Sequence, residues 1–302
     1  MTLIKSISGI RGTIGGEVGD CLTPVDIVKF TSAYAVRLKE RIPGKDKYKV
    51  VVGRDARLSG QMVDSVVCGT LMACGIDVVK AGLASTPTTE MAVIFEKADG
   101  GIILTASHNP KQWNALKLLN EKGEFLDAEE GAKLLAVAES EKFDFADVDS
   151  LGTIEYKDFT QQHIDAVLNQ PLVDVEAIYK AGFKVALDAV NSVGGVIMPK
   201  LLEALGVQCE CVHCEPTGHF AHNPEPLPAH LVDLSAKVVE TGADFGISVD
   251  PDVDRLALIC EDGKPFGEEY TLVSVSDYVL QNVKGATVSN LSSSRALRDV
   301  TE

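Results

Sequence analysis

A repeated strand–helix–strand unit is the feature that most constrains the fold of this sequence. The first unit starts with the apolar run at residues 49–55 and, after a helical stretch, ends with a second apolar run at 76–79. The second unit starts at residues 184–188 and returns to an apolar run after Gly206. Consecutive units of this kind require a sheet with helices on both faces. We therefore predict repeated three-layer α/β domains.

A third unit starts near the end of the sequence. Residues 286–293 have the composition of a strand, and a helix is predicted from about Ser294, only two turns before Glu302. A short capping helix is the alternative, but we expect a fragment with an incomplete third repeat. The predicted domains are residues 1–150, 151–259 and 260–302, separated by an acidic loop at 141–149 and a hairpin turn at 261–264.

Charge and apolar content limit the classes of partner. The net charge of −16 argues against nucleic acid or an anionic membrane surface as a partner. No apolar run reaches the roughly 18 residues of a membrane-spanning helix. The N-terminus has no signal-peptide core, so the seven cysteines are interpreted as reduced thiols of a cytoplasmic protein.

Small and polar residues follow a buried apolar run at residues 100–104. The sequence there is Thr-Ala-Ser-His-Asn-Pro at 105–110, which places Ser107 at the C-terminal edge of a strand, where α/β folds bind ligands. Ser107 and His108 suggest a nucleophile and a base, but adjacent side chains on an extended segment point apart. A polar turn is the alternative interpretation of this segment.

Three carboxylates alternate along residues 250–255, which read Asp-Pro-Asp-Val-Asp-Arg. Asp250, Asp252 and Asp254 offer the hard oxygen ligands that Mg²⁺ or Ca²⁺ prefers. An EF-hand is not supported because Arg255 stands where that loop needs glycine, and a strand is predicted at 256–259. An exposed acidic turn is the remaining alternative.

Two loops bordered by glycine carry arginine, around Arg11 and at Arg54 and Arg57. Guanidinium groups beside backbone N–H groups suit phosphate. The sequence has no Gly-x-x-x-x-Gly-Lys-Ser/Thr loop, so a P-loop kinase is not supported.

Cysteine and histidine residues cluster at 209–222 and raise the question of a zinc site. Cys209, Cys211 and Cys214 precede His219 and His222, and His213 lies among them. The spacing does not match a zinc finger, and residues 207–213 alternate like a strand. We interpret these cysteines as small buried apolar residues.

Taken together, these motifs resemble those of the α-D-phosphohexomutase superfamily, which includes phosphoglucomutase, phosphomannomutase and phosphoglucosamine mutase. Residues 105–110 match its phosphoserine loop, and 250–255 match its metal loop with Pro and Val in place of two glycines. Arg11 lies in the Arg-Gly motif of the family. The stretch at 114–117 and the loop at 222–226 are also similar. The resemblance implies an α/β fold with repeated three-layer domains and mixed sheets, of which the third repeat is incomplete here.

The resemblance also implies a reaction. An Mg²⁺-dependent enzyme would transfer phosphate between O1 and O6 of a hexose phosphate through phosphorylated Ser107 and a hexose 1,6-bisphosphate. Ser107 and the three aspartates would bind Mg²⁺, and Arg11 and Arg255 would bind phosphate. Lys117, with a lowered pKa, would be the general base, and His108 the second candidate.

The resemblance leaves the sugar and the oligomeric state undetermined, with an inclination towards phosphoglucosamine mutase. Two alternatives remain, a metal-dependent sugar phosphatase and a non-catalytic sugar-phosphate-binding fragment. The sugar-binding and phosphate-binding loops of the later domains are missing from the sequence. We therefore expect this chain to bind metal but to show little mutase activity without a C-terminal extension.

Overall fold

The fold is described by a computed structural model that covers residues 1–6, 9–267, 269–290 and 293–301. The strands are β1 (Ile4–Ser6), β2 (Gly9–Thr13), β3 (Tyr48–Arg54), β4 (Ile76–Leu83), β5 (Gly100–Leu104), β6 (Trp113–Leu119), β7 (Ile154–Tyr156), β8 (Lys184–Asp188), β9 (Gln208–Val212), β10 (Phe245–Val249) and β11 (Leu256–Cys260). The helices are α1 (Pro24–Arg41), α2 (Gly60–Ala73), α3 (Thr86–Phe95), α4 (Ala128–Ser140), α5 (Thr160–Leu168), α6 (Val175–Ala181), α7 (Gly194–Ala204), α8 (Val232–Thr241), α9 (Tyr270–Asn282) and α10 (Ala296–Thr301).

The first sheet has seven strands in the order β1-β2-β6-β5-β3-β4-β7. Strands β5, β3, β4 and β7 run parallel, whereas β6, β2 and β1 add antiparallel pairs at one side. The sheet is therefore mixed, and the carboxyl ends of β3 and β5 lie next to each other. That edge carries the loop with Ser107.

Side chains of the central strands are buried on both faces of this sheet. Val50 and Val52 belong to one apolar core, which α1, α2 and α4 cover. Val51, which lies between them, belongs to a second core under α3 on the opposite face. A strand buried on both faces has no polar alternation, which is why it reads as a continuous apolar run.

The second sheet has four strands in the order β11-β10-β8-β9. Strands β8, β9 and β10 are parallel and β11 is antiparallel to β10. Leu187 of β8 packs with Leu202 of α7 on one face of this sheet. Ala186 of β8 packs with Leu234 of α8 on the other face. The prediction of repeated three-layer α/β units with mixed sheets is confirmed.

The residues that follow β11 form helices in the described part of the chain. The predicted turn at 261–264 folds back on β11, with Cys260 N–H donating to Lys264 O at 2.8 Å. The helix α9 follows this turn and covers Tyr270–Asn282. The strand predicted at 286–293 is not formed at 286–290, which is irregular, and Leu291 and Ser292 lie outside the described residues.

Strand β7 lies beyond the predicted boundary at residue 150, yet it pairs in parallel with β4 and so joins the first sheet. Strand β7 is therefore part of the first unit. The domain limits themselves remain a prediction. Among the described residues, no helix combines the length and apolar character that crossing a bilayer would require.

Candidate functional site

The loop that carries Ser107 begins where β5 leaves the first sheet. Thr105 Oγ1 accepts a hydrogen bond from Ser107 N–H at 2.9 Å and donates one to Asp55 Oδ2 at 2.7 Å. Ser107 has a φ of 48°, in the left-handed region that non-glycine residues seldom adopt. Backbone strain of this kind is often found where a structure holds a functional side chain in place.

The side chain of Arg57 fixes the backbone of the Ser107 loop by hydrogen bonds. Its side chain and that of Asp55 are 0% exposed, and Arg57 Nε donates to Asp55 Oδ2 at 3.0 Å. The remaining guanidinium nitrogens donate to the backbone carbonyls of Ser107, Asn109, Pro110 and Trp113. The expectation that Arg57 faces a phosphate is therefore wrong, because its donors are already used within the protein.

The three aspartates follow β10 and meet the serine loop. Ser107 Oγ donates to Asp250 Oδ2 at 2.7 Å. Single carboxylate oxygens of Asp250, Asp252 and Asp254 all lie within 4.8 Å of one another. Asp252 Oδ1 is buried and has no hydrogen-bond partner among the described residues. A free buried carboxylate oxygen between two other carboxylates fits a divalent cation with hard oxygen ligands.

Burial and neighbouring charges shift the pKa values of Asp250 and Asp252 in opposite directions. Burial, together with Asp252 and Asp254, raises the pKa of Asp250 well above its usual range. Burial would also raise the pKa of Asp252, but Lys117 outweighs it and lowers that pKa. A cation at this point would relieve the repulsion that raises the pKa of Asp250.

Lys117 stands on β6 and points into the aspartate cluster. Its Nζ donates to Asp252 Oδ2 at 2.7 Å and to Asp254 Oδ2 at 2.9 Å. Burial alone lowers the pKa of Lys117, but the two carboxylates outweigh burial and raise it. The predicted lowered pKa of Lys117 is therefore wrong in this structure, and Lys117 carries its charge.

His108 is closer to Ser107 than the sequence predicted. Ser107 Oγ and His108 Nδ1 are 3.3 Å apart, because the left-handed backbone at Ser107 turns the two side chains to the same side. Burial, followed by the positive charge of Arg255, lowers the pKa of His108. Its imidazole is therefore neutral at neutral pH and able to accept a proton.

A cavity of about 230 Å³ opens beside these groups. Arg11 on β2 and Arg255 line it together with Ser107, His108 and Lys117. Arg11 Nε is buried and makes no hydrogen bond to any residue that the structure describes. Arg255 is only loosely paired, with Nη1 at 3.5 Å from Glu225 Oε1. Two guanidinium groups with donors to spare make this cavity suitable for a phosphate.

The structure thus brings together the eight residues to which the family resemblance assigns a role, from strands and loops of the two sheets. It also adds two residues that the sequence analysis missed. Thr86, the first residue of α3, donates from Oγ1 to Asp252 Oδ2 at 2.6 Å and from its N–H to Asp252 O at 2.8 Å. Glu90, one turn later, has a pKa raised by burial to about 7. The sequence Ser-Thr-Pro at 85–87 signals the start of α3. No local feature of the sequence indicates that Thr86 contacts Asp252.

The cysteines near residue 210 do not form a metal cluster with the histidines in the described chain. Cys209 and Cys211 lie on β9, as the alternating pattern predicted, with their Sγ atoms 3.8 Å apart. The interpretation of these cysteines as buried is wrong, because Cys211 is exposed and Cys209 and Cys214 are only half-buried. All seven cysteines are free thiols.

Two family descriptions match this chain. Residues 3–145 match "Phosphoglucomutase/phosphomannomutase, alpha/beta/alpha domain I", and residues 161–263 match the corresponding domain II. Together they cover most of the chain, including the serine loop and the aspartate loop.

Individual relatives agree with this assignment. A phosphoglucomutase/phosphomannomutase of Thermococcus kodakarensis is 37% identical over 97% of this chain and 63% of its own length. A probable phosphoglucosamine mutase of Methanobrevibacter smithii is 32% identical over 88% of this chain and 57% of its own length. The crystal structure of a putative phosphomannomutase from Thermus thermophilus covers 99% of this chain with a TM-score of 0.87 at 26% identity, and 66% of that structure is matched. The chain therefore spans roughly 60% of the length of the two curated relatives, and it belongs to the phosphoglucomutase/phosphomannomutase family.

Proposed function

We propose that this chain is part of a phosphohexomutase in which Ser107 carries the phosphoryl group. The observation that carries the proposal is the 2.7 Å contact between Ser107 Oγ and Asp250 Oδ2, in a cluster of three carboxylates beside a cavity that Arg11 and Arg255 line. A serine oxygen placed among potential metal ligands and phosphate-binding donors is suited to phosphoryl transfer.

Asp250, Asp252 and Asp254 would hold Mg²⁺ together with the phosphorylated Ser107. When bound, Mg²⁺ supplies positive charge that offsets the charge developing on the transferred phosphoryl group. The protein supplies the rest of the positive charge, because Lys117 is held cationic between Asp252 and Asp254.

Arg11 and Arg255 would bind the phosphate of the sugar at the cavity wall. Arg11 lines the cavity from β2, so its guanidinium can donate to a phosphate oxygen bound there. Arg255 can exchange its weak contact with Glu225 for a phosphate oxygen. Binding there orients the free hydroxyl of the sugar towards Ser107.

Of the two predicted bases, His108 fits proton transfer better than Lys117. The pKa of His108 is lowered and its Nδ1 lies 3.3 Å from Ser107 Oγ, whereas the pKa of Lys117 is raised. In the first transfer, the bond between phosphorus and Ser107 Oγ breaks and a bond to the sugar oxygen forms, while His108 accepts the proton of the sugar hydroxyl and gives it to the departing Ser107 Oγ. The resulting hexose 1,6-bisphosphate reorients and its other phosphoryl group returns to Ser107 Oγ, while His108 accepts the Ser107 proton and gives it to the sugar oxygen that is released.

The names of the relatives support a hexose phosphate as the substrate class. Glucose, mannose and glucosamine phosphates are all represented in those names, and glucosamine phosphate is our first choice. The substrate is therefore best tested as a set of these three hexose phosphates.

The test is the fate of phosphate from a hexose 1,6-bisphosphate. We expect incubation with Mg²⁺ to add one phosphoryl group to the protein, located at Ser107 by peptide mass analysis. Release of free phosphate without transfer to hexose monophosphate would identify a phosphatase. Binding of the sugar phosphate with an unmodified Ser107 would identify a non-catalytic binding module.

A further inference from the structure

A second group of potential metal ligands lies at the end of β8, away from the aspartate loop. Asp188 Oδ2 is 3.1 Å from His213 Nδ1 and 3.1 Å from His222 Nε2. The Asp188 side chain is 1% exposed, and those of His213 and His222 are 24% and 15% exposed. Two imidazoles thus converge on a single oxygen of one buried carboxylate.

The outer nitrogen of the His222 ring already has a hydrogen-bond acceptor. His222 Nδ1 is 2.8 Å from the backbone oxygen of Asn223, which can only accept, so this nitrogen carries a hydrogen. In the neutral imidazole of His222 the inner nitrogen is then a lone pair that faces the Asp188 oxygen. These two atoms require a cation between them, either a proton on His222 or a metal ion. His213 Nε2 lies 3.4 Å from Asp233 Oδ2 in an ion-pair contact, so His213 Nδ1 can either donate to Asp188 or bind the same ion.

Two kinds of cation can fill this position, additional protons or a metal ion. With both rings protonated, two positive charges would face Asp188 and Asp233, and both charged rings would donate to one buried carboxylate oxygen. A divalent ion carries the same total charge and leaves both rings neutral. A metal ion therefore satisfies both inner ring nitrogens and the shared Asp188 oxygen without placing two charged rings around that oxygen.

The distances also suit a metal of the zinc type. Bonds of about 2.0–2.1 Å in a tetrahedral site separate neighbouring ligand atoms by roughly 3.3 Å. The two nitrogen–oxygen separations of 3.1 Å are close to this value, and all three ligand atoms lie within 4.8 Å of one another. Two imidazoles and one carboxylate are also a common ligand set for Zn²⁺, with a fourth position open to water.

Each ligand has the second contact that metal ligands in proteins usually have. Asp188 Oδ1 accepts the N–H of Val190 at 2.9 Å, which leaves Oδ2 for the ion. His222 and His213 have the carbonyl and the carboxylate described above. Such outer contacts fix the ring tautomer and orient the ligand.

The backbone beside Asp188 and at His213 has a left-handed conformation, which is strained for residues other than glycine. His213 has a φ of 49°, and Val190 and Asn191 have φ values of 47° and 54°. Left-handed geometry is unfavourable for a β-branched residue such as Val190. Asn191 N–H donates to His213 O at 2.6 Å, so the two strained segments are joined beside Asp188. Strain of this kind persists only where the surroundings enforce it.

We propose that Asp188, His213 and His222 bind a divalent transition metal of the zinc type, separate from the Mg²⁺ proposed for the aspartate loop. The ion would fasten the loop between His213 and His222 to the end of β8. This loop packs on the first unit, where the Phe220 ring lies 5.1 Å from the guanidinium of Arg57. The proposal does not depend on the mutase reaction, because none of its three ligands lines the Ser107 cavity.

The test uses the whole 302-residue chain, stripped of metal and kept in excess Mg²⁺ so that the hard aspartate site is occupied. We expect Zn²⁺ to bind with a stoichiometry of one in calorimetry and to raise the melting temperature. Co²⁺ should give the visible absorption of a tetrahedral site, without the near-ultraviolet band of a cobalt–thiolate bond. A thiolate band would assign the ion to the cysteines of β9 and overturn the proposal.

Single-ligand variants provide the matched comparison. We expect His213→Ala and His222→Ala each to weaken Zn²⁺ binding by about 100-fold or more, since changes even behind the ligands cost roughly 10- to 100-fold. His219→Ala, an exposed histidine of the same loop, should bind Zn²⁺ like the unaltered chain. Because the cobalt spectrum is recorded on the unaltered chain, it decides the question even if a variant fails to fold. Absence of stoichiometric Zn²⁺ binding to the unaltered chain would mean that only protons occupy the group.

Discussion

Ser107 Oγ donates a hydrogen bond of 2.7 Å to Asp250 Oδ2 across 143 residues of sequence. Ser107 follows β5 of the first sheet and Asp250 follows β10 of the second, so the contact joins the carboxyl ends of strands from two separate sheets. Phosphorylation of Ser107 would introduce negative charge next to Asp250. A cation bound there would contact residues of both units. We therefore expect its removal to affect both units.

Ser107→Ala should abolish phosphorylation of the protein by hexose 1,6-bisphosphate. Any mutase turnover should fall by roughly four to six orders of magnitude, as is typical when a catalytic nucleophile is removed. Intact mass measures the first effect and a coupled assay the second. Ser65→Ala, on the exposed face of α2, is the control and should be phosphorylated normally. A phosphorylated Ser107→Ala protein would show that another residue is the acceptor.

Asp252→Asn should weaken Mg²⁺ binding by about 10-fold or more, the scale on which metal sites respond to altered partners. The variant keeps the shape of the side chain but loses one charge and its ion pair with Lys117. Titration calorimetry measures the affinity, and circular dichroism verifies the fold. Asp262→Asn, in the exposed turn after β11, should leave the affinity unchanged. Equal Mg²⁺ affinities in the two variants would show that the aspartate loop is a structural turn and not a metal site.

Local patterns in the sequence were sufficient to predict much of the fold. The apolar runs that became β3 and β8 are buried on both faces of a sheet, so their composition alone identified them. Ser107 was predicted because its loop follows an apolar run, and the three aspartates because they alternate along residues 250–255. Their meeting followed from the family resemblance rather than from any local signal.

Properties that depend on distant partners could not be predicted in the same way. The pKa of Lys117 is set by Asp252, 135 residues away, and the direction of its shift was predicted wrongly. Arg57 was interpreted as a phosphate ligand because its actual partners could not be recognised in the sequence. These partners are backbone carbonyls, which every residue type has. The left-handed backbone of Ser107, which turns His108 towards it, is equally invisible in the residue types.

Arg57→Met should destabilise the protein by about 3–5 kcal/mol, because it leaves the fully buried Asp55 without its ion pair. It also removes the donors that hold the carbonyls of the serine loop. Chemical denaturation measures the free energy of unfolding. Adding Asp55→Asn to Arg57→Met removes the unpaired charge, so the double variant should regain part of the loss. A single variant as stable as the unaltered protein would mean that the buried pair contributes no net stability.

Glu90 should make the metal-free protein less stable as the pH rises. Burial, opposed by Lys117, raises the pKa of Glu90 from 4.5 to about 7. Well below pH 4.5 the carboxyl is neutral in both the folded and the unfolded state, and well above pH 7 it is charged in both. Between these values the folded state holds more protons, so the free energy of unfolding contributed by this group falls with rising pH.

Glu90→Gln should remove this contribution and leave the remaining titrating groups in place. The variant should match the unaltered protein near pH 4.5 and become progressively more stable than it up to about pH 7, with a constant difference above that. Urea unfolding at several pH values in the presence of a chelator measures the difference. Glu203→Gln, at an exposed position of α7, should show no such trend. Stability curves that stay parallel for the Glu90 variant and the unaltered protein would show that Glu90 has an ordinary pKa in the folded state.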